Sequence, residues 1–276
     1  MYNSRANVYR FDAMSDLPVD VHFVTESDAP PVIVLAGSDD SERASPPHSH
    51  RRGQLFGSAF GLLTVGLETG VWVVPTTHAV WVPPYQSHWA RSHGLFSGYA
   101  VYVAHDSCAS LPAQACSIRV SGLLREAVLR AAAWPPGELD AQGERIAAVI
   151  LDEIRTLPID ALGLPLPQDA RLLRIARAIL DEPSDERSLE AWAAWAAISA
   201  RSLSRRFVLE TGFTFTAWRQ RARLLRALEM LADAVPVTTI ALQLGYSTPS
   251  TFISLFKRTF GVTPAIYRQR LQGLGE

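Results

Sequence analysis

Residues 238–264 read TTIALQLGYSTPSTFISLFKRTFGVTP, and this stretch decides the fold of the C-terminal part of the chain. Apolar residues recur every three or four positions on both sides of Gly245, which predicts two short helices joined by a tight turn. The second helix is expected to begin after Thr248, because a threonine hydroxyl caps unpaired backbone N–H groups and Pro249 fits the first helical position. The stretch is therefore predicted to be a helix-turn-helix.

Another copy of this unit lies earlier in the chain and is called the first copy. The copies match at an offset of 49 residues, as shown by the pairs Leu203 and Phe252, Phe207 and Phe256, and Gly212 and Gly261. Nearer the turn the offset falls to 48, which pairs Ala197 with Gly245. Ser199 is positioned to cap the second helix of the first copy. The C-terminal part of the chain is therefore predicted to contain two helix-turn-helix motifs.

Between the copies, residues 216–233 form an uninterrupted helix-favouring run, TAWRQRARLLRALEMLAD. A helix of this length spans about 27 Å at ~1.5 Å per residue, and adjacent major grooves on one face of B-DNA recur about every 34 Å. One chain can then place two second helices in adjacent grooves. The run is expected to bury Trp218 and its leucines and to present outward Arg219, Arg221, Arg223 and Arg226.

Charge is divided unevenly along the chain. Residues 1–164 hold 11 arginines and 17 acidic residues, a net charge of −6, whereas residues 165–276 hold 15 basic and 10 acidic residues, a net charge of +5. A positively charged region is typical of a domain that binds the phosphate backbone of a nucleic acid. The total of −1 conceals this asymmetry.

The composition excludes several classes of protein. With 48% hydrophobic and 19% charged residues the chain is expected to fold rather than remain disordered. Prolines and histidines interrupt the uncharged stretch 69–90, so no membrane helix is predicted there. No signal peptide is recognised, which predicts a cytoplasmic protein without membrane association. Two cysteines are too few for a disulfide scaffold.

The N-terminal half has a different pattern. Residues 32–104 contain short β-rich runs separated by Gly, Pro, Ser and Thr, which predicts an antiparallel sandwich or small barrel, and two amphipathic helices follow after Ser117. We therefore predict an α+β protein of two domains. The N-terminal β-barrel with two helices would occupy residues 1–161, a linker residues 162–167, and an all-α double helix-turn-helix module residues 168–276.

Residues 168–271 resemble the AraC/XylS family of bacterial transcription regulators. The run quoted above carries the family's most recognisable pattern of apolar positions, turn glycine, phenylalanines and closing Gly-Val-Thr-Pro. The resemblance implies base-reading residues on the second helix of each motif, namely Arg201, Ser204 and Arg205, and Ser250, Thr251 and Ser254. Arginine can form two hydrogen bonds with guanine, so the first motif is expected to dominate specificity. Phosphate contacts are expected from Lys257, Arg258 and Arg219.

The first motif departs from the family pattern at two positions. Ala197 stands where the turn usually has glycine, and Trp195 replaces what is often a polar residue. We therefore expect a distorted first turn.

A group of histidines in the N-terminal half resembles the cupin pattern. His48 and His50 lie two residues apart on an extended segment, which puts both imidazoles on one side, and His88 follows later in the chain. The resemblance implies a cupin-like barrel in which three histidines and a carboxylate surround a divalent metal ion. Here Gln54 occupies the carboxylate position, and glutamine is a weaker, neutral ligand. Binding of a metal or an effector, and plain hydrogen-bonded histidines at a barrel mouth, remain alternatives for this group.

Together these features predict a transcription regulator that is not an enzyme. A small-molecule or metal effector would bind the N-terminal domain and change how the C-terminal module binds promoter DNA. Further expected partners are a second copy of the chain in a homodimer and, for an activator, RNA polymerase. The alternatives are a metal-dependent cupin enzyme with an accessory helical domain, against which Gln54 argues, and a helical protein-interaction module.

Overall fold

Two long antiparallel strands organise the N-terminal half in a computed structural model, which describes residues 21–39, 43–135, 137–160 and 163–272. They are β3 (Gly53–Leu67) and β6 (His88–Val103). The other strands are β1 (Val32–Asp39), β2 (Ala44–His48), β4 (Gly70–Val74), β5 (His78–Val82), β7 (Cys116–Arg119), β8 (Ile159–Asp160) and β9 (Gly163–Pro165). The helices of this half are α1 (Val21–Glu26), α2 (Gly122–Ala131) and α3 (Ala141–Thr156). Residues 1–20 of the predicted first domain and Leu162 of the predicted linker lie outside the described residues.

The β3–β6 ribbon curls so strongly that its two ends meet. Its register runs from the pair Gly53 and Val103 at one end to the pair Leu67 and His88 at the other. The ladder shifts register twice near its middle, and such bulges bend a ribbon. As a result Oε1 of Gln54, next to one end, lies 3.0 Å from Nε2 of His88 at the other end.

The remaining strands of this half extend the ribbon with antiparallel pairs in the order β1-β6-β3-β5-β7-β8, and β2 also pairs with β6. Along the described strands this path ends at β1 and β8 rather than closing. Helices α2 and α3 share one core with the sheet, which includes the buried side chains of Leu55, Trp81, Val101, Ile118, Leu124 and Ile150. The predicted antiparallel β domain with two helices is confirmed, and the curled ribbon gives it a barrel-like form.

The chain divides into two compact units. Of the described residues, those within 21–67 and 74–160 belong to the first unit, and those within 68–73 and 163–272 belong to the second. Within the second unit, residues 70–72 of β4 form an antiparallel pair with β9. The segment predicted as a linker, 162–167, thus contains the strand β9. The predicted domain boundaries themselves stay a prediction.

Helices make up most of the second unit. They are α4 (Ala170–Asp181), α5 (Leu189–Trp195), α6 (Ala200–Thr211), α7 (Phe215–Ala232), α8 (Val237–Gln243), α9 (Pro249–Phe260) and α10 (Pro264–Leu271). The pairs α5–α6 and α8–α9 are the two predicted helix-turn-helix motifs, and α7 is the predicted connecting helix. None of the helices in the described residues is long and apolar enough to span a bilayer.

Both second helices begin and end in the same way. The Ser199 hydroxyl caps α6 by accepting from the N–H of Ser202, and the Thr248 hydroxyl caps α9 in the same manner. Each helix ends at a glycine with a left-handed backbone, Gly212 (φ 75°) and Gly261 (φ 78°), a conformation that glycine adopts without steric cost. The predicted repeat is therefore present in the backbone as well as in the sequence.

The two turns also have the same geometry. Ala197 (φ 54°) donates to the carbonyl of Ala194, and Gly245 (φ 74°) donates to the carbonyl of Leu242, each over 3.0 Å. The expectation of a distorted first turn is therefore wrong. Ala197 adopts the left-handed conformation that glycine adopts in the second turn, at a cost of about 1–2 kcal/mol.

Candidate functional site

Helix α6 has one buried and one exposed face. Leu203 and Phe207 are fully buried, whereas the predicted base-reading residues Arg201, Ser204 and Arg205 are all exposed. Arg201 and Arg205 are one helical turn apart, so their guanidinium groups lie on the same face. The exposed face continues with two apolar residues that the sequence analysis did not single out, Val208 and Leu209, which are 41% and 79% exposed.

Helix α9 has the same division. Phe252 and Phe256 are fully buried, and all five predicted DNA-contacting residues are exposed, namely Ser250, Thr251, Ser254, Lys257 and Arg258. The first two turns of the exposed face thus carry hydroxyl groups and the last turn carries two cations. This face can donate and accept weak hydrogen bonds and can contact an anionic backbone.

The arginines of α7 differ from the expected arrangement. Three of the four predicted outward arginines are half-buried and donate hydrogen bonds to main-chain carbonyl oxygens, namely Arg219 to Arg187, Arg221 to Gly163 and Arg223 to Pro183. Burial also lowers the pKa of Arg223. Arg226 is exposed and pairs with Glu229. These hydrogen bonds stabilise the second unit. A phosphate contact by Arg219 stays a prediction.

The three predicted histidines come together. A potential ligand atom of each of His48, His50 and His88 lies within 4.8 Å of the others. His48 ends β2 and is paired across the strands with His88 at the start of β6, while His50 lies in the segment between β2 and β3. Gln54 joins them from β3, with Oε1 2.9 Å from Nε2 of His50 and 3.0 Å from Nε2 of His88. We call these four residues the histidine cluster.

Main-chain carbonyls fix the tautomer of each ring in the cluster. Nδ1 of every ring lies 2.8–2.9 Å from a carbonyl oxygen, with the pairs His48 and Pro46, His50 and Arg52, and His88 and Gln86. A carbonyl oxygen only accepts, so Nδ1 carries the hydrogen in each ring. Burial lowers the pKa of His88 to about 4 and also lowers the pKa of His50. In the neutral rings of His50 and His88, Nε2 is therefore a hydrogen-bond acceptor.

The Gln54 amide is oriented by Tyr102. Burial raises the pKa of Tyr102 to about 12, and a hydrogen bond with the Gln54 side chain acts in the opposite direction. Oε1 of Gln54 lies within hydrogen-bond distance of Nε2 of both His50 and His88, so the amide oxygen points into the cluster and the NH₂ group is left for Tyr102. Oε1 thus faces two imidazole nitrogens that are acceptors themselves. A group of acceptors without a hydrogen between them is suited to a cation.

The two arginines beside the cluster have other partners. Arg52 is fully buried and donates to the carbonyl oxygens of Ser27, Pro30 and Tyr102. Arg51 pairs with Asp28. Both groups therefore support the fold around the cluster.

A family profile described as a helix-turn-helix domain matches residues 192–270, which include both turns and both exposed helix faces. The HTH-type transcriptional regulator NimR of Escherichia coli K12 is 32% identical over 239 residues, which cover 86% of this chain and 86% of that protein. The chain belongs to the AraC/XylS family of transcription regulators.

Other similarities are more limited. The HTH-type transcriptional regulator RipA of Corynebacterium glutamicum is 32% identical over 130 residues, 47% of this chain and 37% of that protein. A crystal structure of ToxT from Vibrio cholerae with a bound unsaturated fatty acid aligns over 89% of this chain and 96% of that chain, at 12% identity and a TM-score of 0.40.

As a member of the AraC/XylS family, the chain is a DNA-binding transcription regulator. The matched span contains every residue predicted to contact DNA, and the histidine cluster lies outside it. Sequence analysis missed the orientation of Gln54 by Tyr102 and the carbonyl bonds of α7, because in each case the partner is distant in sequence.

Proposed function

We propose that α6 and α9 of this AraC/XylS regulator read two segments of an operator, and that Arg201 and Arg205 supply most of the specificity. The observation that carries this proposal is the exposed pair of guanidinium groups one turn apart, above a fully buried apolar face. Each arginine can form two bonds to guanine, worth about 1–3 kcal/mol of discrimination. Ser204 adds a weaker hydrogen bond, and Val208 and Leu209 are suited to contact thymine methyl groups.

Helix α9 contributes less discrimination and more positioning in this proposal. Ser250, Thr251 and Ser254 offer hydroxyl groups, which form single bonds that several bases can satisfy. Lys257 and Arg258 contact phosphates and fix the register of the helix in the groove. Arg219 joins them with the guanidinium nitrogens that do not bind the Arg187 carbonyl.

Selection of bound sequences from random duplex DNA tests this assignment. We expect the wild-type chain to select one sequence, and Arg201→Ala and Arg205→Ala each to lose preference at one part of it. Arg177→Ala is the matched control, because Arg177 is an exposed arginine on α4, outside the matched helix-turn-helix span. Unchanged selection by both variants would show that the first recognition helix is wrongly assigned.

We propose that the histidine cluster holds a divalent cation, alone or together with a small-molecule effector. The three Nε2 atoms of His48, His50 and His88 and Oε1 of Gln54 would be its ligands. The support is the convergence of acceptor atoms, with each Nδ1 held by a carbonyl as in protein metal sites. Imidazole ligands favour ions such as Zn²⁺ and Ni²⁺, and the cation would supply the positive charge that the facing acceptors lack.

Calorimetric titration of the metal-free chain with Zn²⁺ or Ni²⁺ tests the site. We expect one equivalent to bind, His50→Ala to weaken binding strongly, and Gln54→Glu to tighten it because a carboxylate is a charged ligand. His105→Ala is the control, since His105 is an exposed histidine paired with Asp106 outside the cluster. Equal binding by the His50→Ala and His105→Ala variants would exclude the cluster as the site.

We further propose that the cluster binds its ligand without converting it. Its support is Gln54, which stands where the cupin resemblance implies a carboxylate, because a neutral, weaker ligand argues against a catalytic metal ion. Stoichiometric metal together with substrate turnover would instead support the alternative of a cupin enzyme. Pairing into a homodimer, a cytoplasmic location and, for an activator, contact with RNA polymerase complete the proposed function.

A further inference from the structure

We propose that strand β4 transmits the state of the histidine cluster to α7, the helix that connects the two helix-turn-helix motifs. This inference rests on the proposed cation site and concerns how that site controls DNA binding. It follows from strand register, from the course of the chain between the two units and from side-chain bonds within the second unit.

The first step is the position of His88 in the sheet. His88 is the first residue of β6 and is paired on one side with His48, the last residue of β2, and on the other side with Leu67, the last residue of β3. A cation held by His48 and His88 therefore fixes the backbone directly opposite Leu67. The next residue, Glu68, already belongs to the second unit.

The second step is the pairing of β4 within the second unit. Val71 and Trp72 are paired with Leu164 and Gly163 of β9. The Trp72 indole lies so close to Gly163 that a Cβ built there would be 2.4 Å from its Nε1. Because the backbone ladder joins β4 to β9 and the indole packs directly on Gly163, a displacement of β4 is expected to displace β9 as well.

The third step joins β9 to α7. Nε1 of Trp218 donates to the carbonyl oxygen of Pro165 over 2.7 Å, and Nε of Arg221 donates to the carbonyl oxygen of Gly163 over 3.0 Å. Trp218 is fully buried and Arg221 is half-buried, so both bonds are partly shielded from water. Helix α7 thus follows the position of β9.

The consequence concerns the two recognition helices. Since α7 lies between α6 and α9 in the chain, a change in its position alters how the two exposed faces fit adjacent major grooves. A cation that favours one position of β4 then changes operator affinity by its differential affinity for the two states.

The experiment measures this coupling directly in the full-length chain. The dissociation constant for the selected operator is measured by fluorescence anisotropy with EDTA and with saturating Ni²⁺, and Ni²⁺ affinity is measured by calorimetry. The test variants are Arg221→Gln and Trp218→Phe, which remove the two bonds to β9. Arg226→Gln is the control on the same helix, because Arg226 is exposed and pairs with Glu229.

In the wild-type chain and in Arg226→Gln, we expect Ni²⁺ to change operator affinity by about 5- to 150-fold, the usual range for coupled sites. In the two test variants we expect this ratio to approach one, while Ni²⁺ affinity and metal-free operator affinity change less than about threefold. Thermal unfolding checks that both variants fold. Coupling that survives in both variants would overturn the β4 route alone. Absence of Ni²⁺ binding or of any coupling in the wild-type chain would overturn the proposed cation sensor together with this route.

Discussion

Nη1 of Arg206 lies 2.7 Å from Oδ2 of Asp169, so a salt bridge joins the first recognition helix to the start of α4. Glu210 strengthens this connection, because its Oε2 accepts from the backbone N–H groups of Gln168 and Asp169. Helix α6 thus uses one set of polar residues to fix its position within the unit, while Arg201 and Arg205 stay exposed.

The Asp169 carboxylate, which pairs with Arg171 as well as with Arg206, predicts an acid-sensitive contribution to the stability of the helical unit. The hydrogen bond from Arg171, with further bonds from backbone N–H groups, lowers the pKa of Asp169 to about 2. A carboxyl group with a lowered pKa stabilises the fold above its ordinary pKa near 4, and this contribution is lost as the pH falls toward 2. Asp169→Asn keeps the helix cap but loses the charge. We expect it to lower the free energy of unfolding at pH 7 by up to about 1 kcal/mol. Urea unfolding between pH 7 and pH 2.5 measures the difference, and parallel curves for both chains would contradict the prediction.

The two turns predict opposite effects of exchanging glycine and alanine. Ala197→Gly should stabilise the chain by about 1 kcal/mol, because it removes the cost of a left-handed alanine. Gly245→Ala should destabilise it by more than about 1 kcal/mol, since the new Cβ would also lie 3.0 Å from the Ser184 carbonyl oxygen. Melting temperatures of both variants test this pair. Changes of the same sign in both variants would contradict the left-handed geometry that the two turns share.

The division between base contacts and phosphate contacts predicts different dependence on salt. Lys257→Ala should weaken binding to specific and random DNA alike and reduce the slope of log affinity against log salt by about 0.9. Arg205→Ala should mainly weaken binding to the selected operator. Titrations from low to physiological salt with both DNAs distinguish the two effects. A wild-type slope in the Lys257→Ala variant would show that Lys257 does not contact phosphate.

The buried guanidinium of Arg52 predicts a large effect on the first unit. Arg52→Met fills a similar volume but leaves the carbonyl oxygens of Ser27, Pro30 and Tyr102 without this donor, at about 1–3 kcal/mol for each oxygen that stays buried. We expect reduced stability with unchanged affinity of the folded chain for DNA. Arg51→Met is the control, since Arg51 makes an exposed pair with Asp28. Similar losses of stability in both variants would be inconsistent with the structure.

The helical unit could be predicted closely because its signals are local. Capping hydroxyls, left-handed glycines and apolar residues at helical spacing lie within a few residues of the features that they specify, as at Ser199 and Thr248. The partners of Arg219, Arg221 and Arg223 are carbonyl oxygens 32 to 58 residues away. No periodic pattern marks such partners, so the arginines of an amphipathic helix were expected to face outward.

The histidine cluster could be predicted only in part, for the same reason. The spacing of His48 and His50 and the later His88 indicated which residues meet. The position of Gln54 against Tyr102 depends on how the ribbon curls, and the bonds of the Nδ1 atoms depend on loop carbonyls. The strand β9 was missed because its sequence, GLP, ends in a residue that strands disfavour.

The curl of the β3–β6 ribbon has a consequence for folding. Gln54 and His88 are 34 positions apart and meet only after the ribbon has closed on itself. An ion bound to both residues would therefore cross-link the two ends of the ribbon in the folded chain, and this cross-link would be absent from the unfolded chain. Its binding free energy would add to the resistance of the N-terminal half to heat, and a chelator would take that resistance away.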